Sequence, residues 1–335
     1  MTEESPVAAD DVPPAPGTEE PAGSDADDRL TLAVTTAAET FERLRDRLPP
    51  HRIDVVHVQP SERVFEIDDE SAGGIGGSSD AEQGQESSIT EQVPDADVGW
   101  VYPSRLMEGA VVDTLLDVPW VNGRDAVVTS RNKAGVLAEL AAADVPVPAT
   151  RVVSNPADES DVLAAADELG WPVVVKPNST TRGVGVAKVT DPDSVAGVTD
   201  YLDLVHDYRA TGDRSYLLQE YLPDATDYRV MVVGGTYVGA VRRELPADNL
   251  ADGQWKHNVH RGAVAEGVDL DPALRRLAER AARVLEIPVV GVDLLVTDDR
   301  AVVSETNARP TVDDAEKYVD GFDERLAVEI RRAAE

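Results

Sequence analysis

Residues 173–186 read VVVKPNSTTRGVGV. The β-branched run predicts a strand. The small and hydroxyl-bearing residues after it, ending in Gly-Val-Gly, predict a loop whose backbone can approach another group closely. Lys176 stands at the end of the strand, before the glycines. A phosphate-binding P-loop has the reverse order, with its lysine after the glycines at the start of a helix. Charge first and flexible loop second suits a bound anion with Lys176 beneath it and the 179–185 segment folded over it, offering N–H groups and hydroxyls. An ordinary Gly-rich β-turn would leave the same local pattern, and the loop alone does not separate the two.

Lysine is scarce elsewhere. Only Lys133, Lys176, Lys188, Lys256 and Lys317 occur, and the other 26 of the 31 basic residues are arginine. Against them stand 64 acids, for a net charge of -33 in 335 residues. Such a surface repels nucleic-acid phosphates and anionic lipid, so neither is an expected partner. Acids spread along the whole chain suit a protein kept dispersed in high salt, where screening makes self-repulsion tolerable. With no cysteine, disulfides, thiolate nucleophiles and cysteine metal sites are excluded. No run approaches the roughly 20 apolar residues of a membrane span, and the N-terminus lacks a basic-then-apolar pattern. A soluble, cytoplasmic protein is expected.

Residues 1–28 are rich in Pro, Ala and acids and read as a disordered tail; 66–97 have a similar composition and read as a flexible insertion. Around that insertion, strands at 30–34, 52–58, 98–103 and 118–122 with a helix at 38–48 predict a small parallel α/β lobe over 29–122. Its histidines, His51 and His57, read as packing or surface residues. A second, mixed lobe over 123–206 has Ser130 as an N-cap, a helix with Val136, Leu137 and Leu140 on one face, and a stop at Pro146. A strand at 151–153, a helix at 159–169 closed by Gly170, strands at 172–176 and 184–189 and a helix at 192–204 complete it. The last lobe, 207–335, opens with a strand at 215–222. A hairpin at 228–243 turning at Gly234-Gly235, a helix at 272–287, strands at 289–297 and 301–307 and a helix at 322–334 follow.

The last strand pair carries GVDLL and VSETNARP. Glu305 and Asn307 are two apart and leave one face of the sheet, and Asp293 on the neighbouring strand can point the same way. Two carboxylates and an amide oxygen form a hard ligand set of the kind that holds Mg²⁺ beside phosphates. Two solvated acids next to a turn are the plainer reading of the same residues.

Taken in order, Lys133 at a helix start, Lys176 before the Gly loop, QEYL (219–222), DYRVMVV (227–233), WKHNVHRG (255–262), GVDLL (291–295) and SETNARP (304–310) resemble the ATP-grasp superfamily, and within it the RimK-like amino-acid ligases. The likeness covers about 98–330. It implies an α/β fold of the α+β ATP-grasp type, in which a parallel pre-grasp lobe precedes two lobes that sandwich ATP. By the same resemblance Lys133 and Lys176 touch ATP phosphates, Ser179, Thr180, Thr181, Gly183 and Gly185 form the lid, and Glu220 and Tyr221 border the adenine. Asp227 lies at the ribose, Lys256 and Asn258 near the nucleotide, and Arg229 and Arg261 at the phosphates or the transferring group. Asp293, Glu305 and Asn307 hold Mg²⁺, with Mn²⁺ as the alternative.

The activity implied is ATP-dependent carboxylate–amine ligation through an acyl phosphate, with glutamate joined to a small molecule or a peptide or protein end. A nucleotide-binding regulator without turnover, a carboxylate kinase and a carboxylase are the alternatives. Family habit implies a homodimer or homotetramer. One departure concerns the substrate: after Asn307 many RimK-like ligases continue with a small residue and then Ser or Thr-Pro-Gly, whereas this chain has Ala308-Arg309-Pro310. Arg309, and more distantly Arg242, are candidates for binding a substrate carboxylate; pairing of Arg309 with a neighbouring acid is the other reading.

Overall fold

The fold was analysed in a computed structural model, which describes residues 29–36, 38–61, 64–65, 94–181, 183–205, 213–251, 253–256 and 262–335. The expected tail at 1–28 and most of the insertion, 66–93, lie outside the described residues.

In chain order the first lobe comprises β1 (Leu30–Val34), α1 (Ala38–Arg47), β2 (Ile53–His57), β3 (Val98–Val101), α2 (Leu106–Leu116) and β4 (Trp120–Asn122). Its four strands are parallel, in the order β2-β1-β3-β4. His57 does serve as packing: its ring stacks on Phe41 at 4.7 Å and its Nε2 meets Thr36 O at 2.9 Å.

Two helices follow, α3 (Arg124–Arg131) and α4 (Lys133–Ala142). The expected N-cap at Ser130 is therefore wrong by two positions. Ser130 is the penultimate residue of α3, and Asn132 caps α4, its side chain accepting from the Gly135 N–H. Asparagine caps at least as well as serine, and the short extra helix ahead of it has no apolar stripe long enough to be read from sequence.

The middle sheet is built from β5 (Thr150–Ser154), β6 (Val173–Pro177), β7 (Ala187–Val189) and, after α5 (Glu159–Leu169) and α6 (Pro192–Val205), β8 (Ser215–Glu220). The order is β5-β8-β6-β7. From the sequence β8 opens the last lobe; it lies instead between β5 and β6, so the middle sheet extends past 206. Strand pairing is a long-range choice that a local apolar pattern does not encode. Likewise 184–186, expected as strand, belong to the loop before β7.

The third sheet holds β9 (Thr226–Val233), β10 (Thr236–Glu244) and, beyond α7 (Ala247–Ala251), β11 (Val264–Gly267). After α8 (Pro272–Val284) come β12 (Val289–Val296) and β13 (Ala301–Asn307), and α9 (Phe322–Ala334) closes the chain. The order is β11-β10-β9-β12-β13, all antiparallel. Gly234 and Gly235, at φ 56° and 71°, make the primed turn between β9 and β10 that matches strand twist. Asp271 caps α8, and its buried face is alanine (Ala278, Ala281, Ala282), which brings the helix close to the sheet.

Burial divides these lobes unequally. Residues of the first sheet (Leu32, Trp100, Tyr102) and the third (Val230, Val289, Leu294) share one core, whereas the middle lobe packs around its own cluster of Val162, Val173, Val175, Tyr216 and Leu218. Asn122, fully buried, fastens the first pair: its amide donates to Val289 O and Ala308 O and accepts from Val289 N. The crevice between this joined body and the separately packed middle lobe is where the candidate residues meet.

Candidate functional site

One row of the third sheet sets the geometry. Arg229 on β9, Asp293 on β12 and Glu305 on β13 are direct cross-strand partners. Asn307 follows Glu305 by two and lies opposite Gly291, which keeps it on the same face. The alternation that places them there is adjusted by a bulge beside Ser304. Asp293 is 5% exposed and accepts a two-pronged bond from Arg229, at 2.7 and 2.8 Å, while Arg243 Nη2 shares its Oδ2 at 3.1 Å. Burial alone would raise the Asp293 carboxyl, but the charges of Arg229 and Arg243 and their hydrogen bonds outweigh it and hold the group at about 2.

The middle lobe faces this row with Lys176. Its Nζ donates to Gln219 Oε1 at 2.6 Å, a neutral acceptor. Burial therefore lowers the ammonium from its ordinary range; Lys133 adds to the lowering, and Glu305, Asp227 and Asp293 oppose it. Lys176, Lys133 and the three carboxylates thus share one electrostatic neighbourhood.

Lys133, buried at the start of α4, joins the two walls directly. It donates to Thr180 O in the glycine loop and pairs with Glu305 Oε1 at 3.2 Å. The loop's approach is fixed by two asparagines: Asn178 Oδ1 accepts from Ala134 N at 2.8 Å, and Asn178 Nδ2 donates to Asn132 Oδ1 at 3.0 Å. Gly185 has φ 74°, and a Cβ there would lie 2.7 Å from Pro177 Cγ, so glycine is required on two counts. Lys133, Lys176, Arg229 and Arg243 against Asp227, Asp293 and Glu305 leave an excess of one positive charge, a local reversal in a chain at -33.

Other expected residues are placed differently from one another. Ser179 gives its hydroxyl to Asp213, and Thr180 Oγ1 donates to Val184 O at 2.9 Å within the loop. Thr181 is exposed, and Gly183 takes φ 67°. The Glu220 side chain accepts from Ala149 N at 2.6 Å and pairs with Arg300 at 2.5 Å. Tyr221 meets Trp255 edge-on at 6.0 Å, with Lys188 Nζ over the Tyr221 ring at 4.6 Å. Lys256 donates to Val186 O, past the loop's end. Asp227 accepts from Arg243 Nε at 3.0 Å. Asn258 and Arg261 lie outside the described residues.

The two arginine candidates differ in their surroundings. Arg242 points to the outer side, paired with Glu244 and Glu266; its neighbour Arg243, not singled out from sequence, is the one that turns inward. Among the described residues Arg309 pairs with no acid, against the second reading: its guanidinium donates to Tyr102 O and to Thr35 O, and its backbone N–H to Asn307 Oδ1 at 2.9 Å. Asn132, Asn178 and Gln219 were also missed. Asn178 had a faint signal, two residues past Lys176 and so on the same side of that strand.

Asp293, Glu305 and Asn307 suit a hard divalent cation by donor type. Among the described residues no three His, Cys, Asp or Glu side chains are placed to hold a metal, so an ion here would complete its shell with amide and ligand oxygens.

A RimK-like ATP-grasp domain model matches residues 130–330. The chain belongs to the RimK-like ATP-grasp family. Curated relatives include a probable alpha-L-glutamate ligase of Enterobacter sp. (strain 638), 32% identical over 199 residues, and a ribosomal protein bS6--L-glutamate ligase of Escherichia coli O139:H28, 31% identical over 199. Each match covers 59% of this chain and 62% of the relative, so the chain spans about three-fifths of the length of these relatives. Among solved structures, a RimK domain ATP-grasp protein of Sphaerobacter thermophilus superposes with a TM-score of 0.59 at 23% identity, covering 91% of this chain and 99% of the other. D-Alanine--D-alanine ligase of Bacillus anthracis gives 0.59 at 16%, covering 91% and 97%. These likenesses establish the ATP-grasp fold. Within the same limits, no helix of the described residues is long and apolar enough to cross a membrane.

Proposed function

We propose that this chain is an ATP-dependent carboxylate–amine ligase that joins glutamate to a small molecule or to a peptide or protein end, releasing ADP and phosphate. The observation that carries the reading is the double engagement of Lys133, with Thr180 O of the glycine loop and with Glu305 of the carboxylate row. It brings a glycine-loop cover, a cation and hard oxygen ligands to one point, which is what a nucleotide triphosphate needs. Relatives named as glutamate ligases support the choice of amino acid.

Phosphoryl transfer asks for alignment and charge neutralisation rather than a protein nucleophile. A substrate carboxylate oxygen attacks the γ-phosphorus as the bond to ADP breaks. The amine nitrogen then attacks the acyl carbon, phosphate leaves, and the amine loses a proton. Lys133 and Lys176 would hold the triphosphate, and Arg229 and Arg261 would absorb charge on the transferring group. Lys176 is prepared for this because its present partner, Gln219, does not satisfy its charge. Arg229 and Arg243 keep Asp293 ionised until a cation arrives. Asp293, Glu305 and Asn307 would hold Mg²⁺, or Mn²⁺, which when bound neutralises phosphate oxygens. Closure of the 179–185 loop would exclude water from the acyl phosphate.

The test is ADP and phosphate formation by the full chain with ATP, Mg²⁺, L-glutamate and a panel of carboxylate acceptors, with products read by mass spectrometry. ADP formation that requires an amino acid, with a new amide in the products, supports the ligase. ADP formation without that requirement points to a carboxylate kinase or carboxylase. Tight ATP binding with no ADP across the panel points to a binding regulator.

A further inference from the structure

A second cationic group lies outside the triphosphate-binding set. In the first sheet the chain runs from β1 to β2 on one side and to β3 on the other, so the order β2-β1-β3-β4 reverses at β1/β3. In open parallel sheets ligands settle beyond the carboxyl ends of the strands at such a reversal. Arg309 occupies that place from the neighbouring lobe. Its guanidinium donates to Tyr102 O, one residue beyond β3, and to Thr35 O at 3.4 Å, one residue beyond β1.

Both acceptors are neutral carbonyls, and they use part of a five-donor fork. In a chain with 64 acids, no described acid pairs with Arg309. A second guanidinium, that of Arg131, lies close enough to act on its charge. Arg131 itself donates to Ser104 O at 2.9 Å, beyond the end of β3. Beside Thr35, the Thr36 Oγ1 is buried without a hydrogen-bond partner. At the carboxyl ends of β1 and β3, the Arg309 guanidinium and the Thr36 hydroxyl form a place whose desolvation an anion from outside would compensate.

We propose that Arg309 and Arg131 form a subsite for one of the two carboxylates of the amino-acid substrate, which reacts through its amine. The inference rests on the ligase reading and deepens it. Reach agrees with it. Asn307 lies two residues before Arg309, a span of at most about 7 Å, which keeps the Arg309 backbone beside the Asp293–Glu305–Asn307 group.

The test uses the full chain with Mg²⁺ and a non-hydrolysable ATP analogue, titrated calorimetrically with L-glutamate, L-glutamine, the α-amide of glutamate and inorganic phosphate. The wild type is expected to prefer glutamate over one of the two amides by about 10- to 100-fold, as for a charge-assisted contact. Arg309→Gln should erase that preference while the nucleotide affinity stays within about twofold, Arg309→Lys should keep part of it, and Arg131→Gln should reduce it. The proposal is overturned if Arg309→Gln and Arg131→Gln both leave the preference intact. It is equally overturned if they weaken nucleotide and all amino acids alike, as a purely structural tie would, or if phosphate binds in place of glutamate. If the wild type binds no nucleotide, the ligase reading falls and this subsite with it; if nucleotide binds and glutamate does not, the subsite alone falls.

Discussion

Asp293→Asn keeps the shape of the side chain and removes its charge from between Arg229 and Arg243. In the folded protein Asp293 titrates at about 2 against an ordinary 3.8. That lowering is worth about 2 kcal/mol in favour of the folded, ionised state at ~1.36 kcal/mol per unit. Because the folded value is the lower one, the contribution is fully present above pH 3.8 and drains away as pH falls toward and below 2; roughly half of it remains at pH 3. The variant also leaves the half-buried Arg229 without its paired carboxylate, whereas Arg243 keeps Asp227. The combined loss at pH 7 is therefore about 2–5 kcal/mol. Unfolding in urea, which unlike guanidinium does not screen charge, measures it at pH 7 and pH 3 in the absence of nucleotide and metal. The gap between wild type and variant should narrow at the lower pH. An Asp293→Asn protein as stable as the wild type at pH 7, or more stable, would refute the reasoning. It would mean that repulsion from Asp227 and Glu305 dominates the free site and that the two arginines do not compensate for it.

Lys176→Met should weaken ATP binding by about 10- to 100-fold with little loss of stability, since the ammonium is buried against a neutral amide; calorimetric titration checks both the affinity and the fold. In the wild type a bound triphosphate raises the lowered Lys176 pKa, so binding takes up protons and affinity falls as pH rises through the free-state value; titrations in buffers of different ionisation enthalpy count those protons. Gly185→Ala should cost about 1–3 kcal/mol through its positive φ and the contact with Pro177, and should lower kcat/KM for ATP; Gly197→Ala, where a Cβ meets nothing within 4 Å, is the control. Arg300→Ala, which breaks a partly exposed pair with Glu220, should change stability by no more than about 1 kcal/mol in urea and leave ATP affinity unchanged.

Arg242 and Arg243 show where sequence reasoning reaches its limit. Alternation guarantees that one of two adjacent strand residues faces inward. Which one does so depends on the register of β10 against β9, and that register shifts between Tyr237 and Gly239. Lys176, Asp293, Glu305 and Asn307 were legible because period two and the short turn between β12 and β13 are local properties. The place of β8 was not, since its pairing with β5 and β6 spans distances along the chain that no local pattern records. Arg309 was visible as an oddity of the sequence, but its partners, the carbonyls of Thr35 and Tyr102, lie more than 200 residues away.

By itself the sequence determined the β9–β10 hairpin, α8, β12, β13 and α9 of the last lobe, the glycine loop and the acidic charge, but not β11 or α7, because propensity, period and charge act between near neighbours. Only the tertiary structure decided that the first and third sheets share a core while the middle lobe packs alone, and that Lys133 links the loop to Glu305. Those outcomes depend on which apolar faces meet and which buried charges find partners, and that is settled only when distant segments exclude water together.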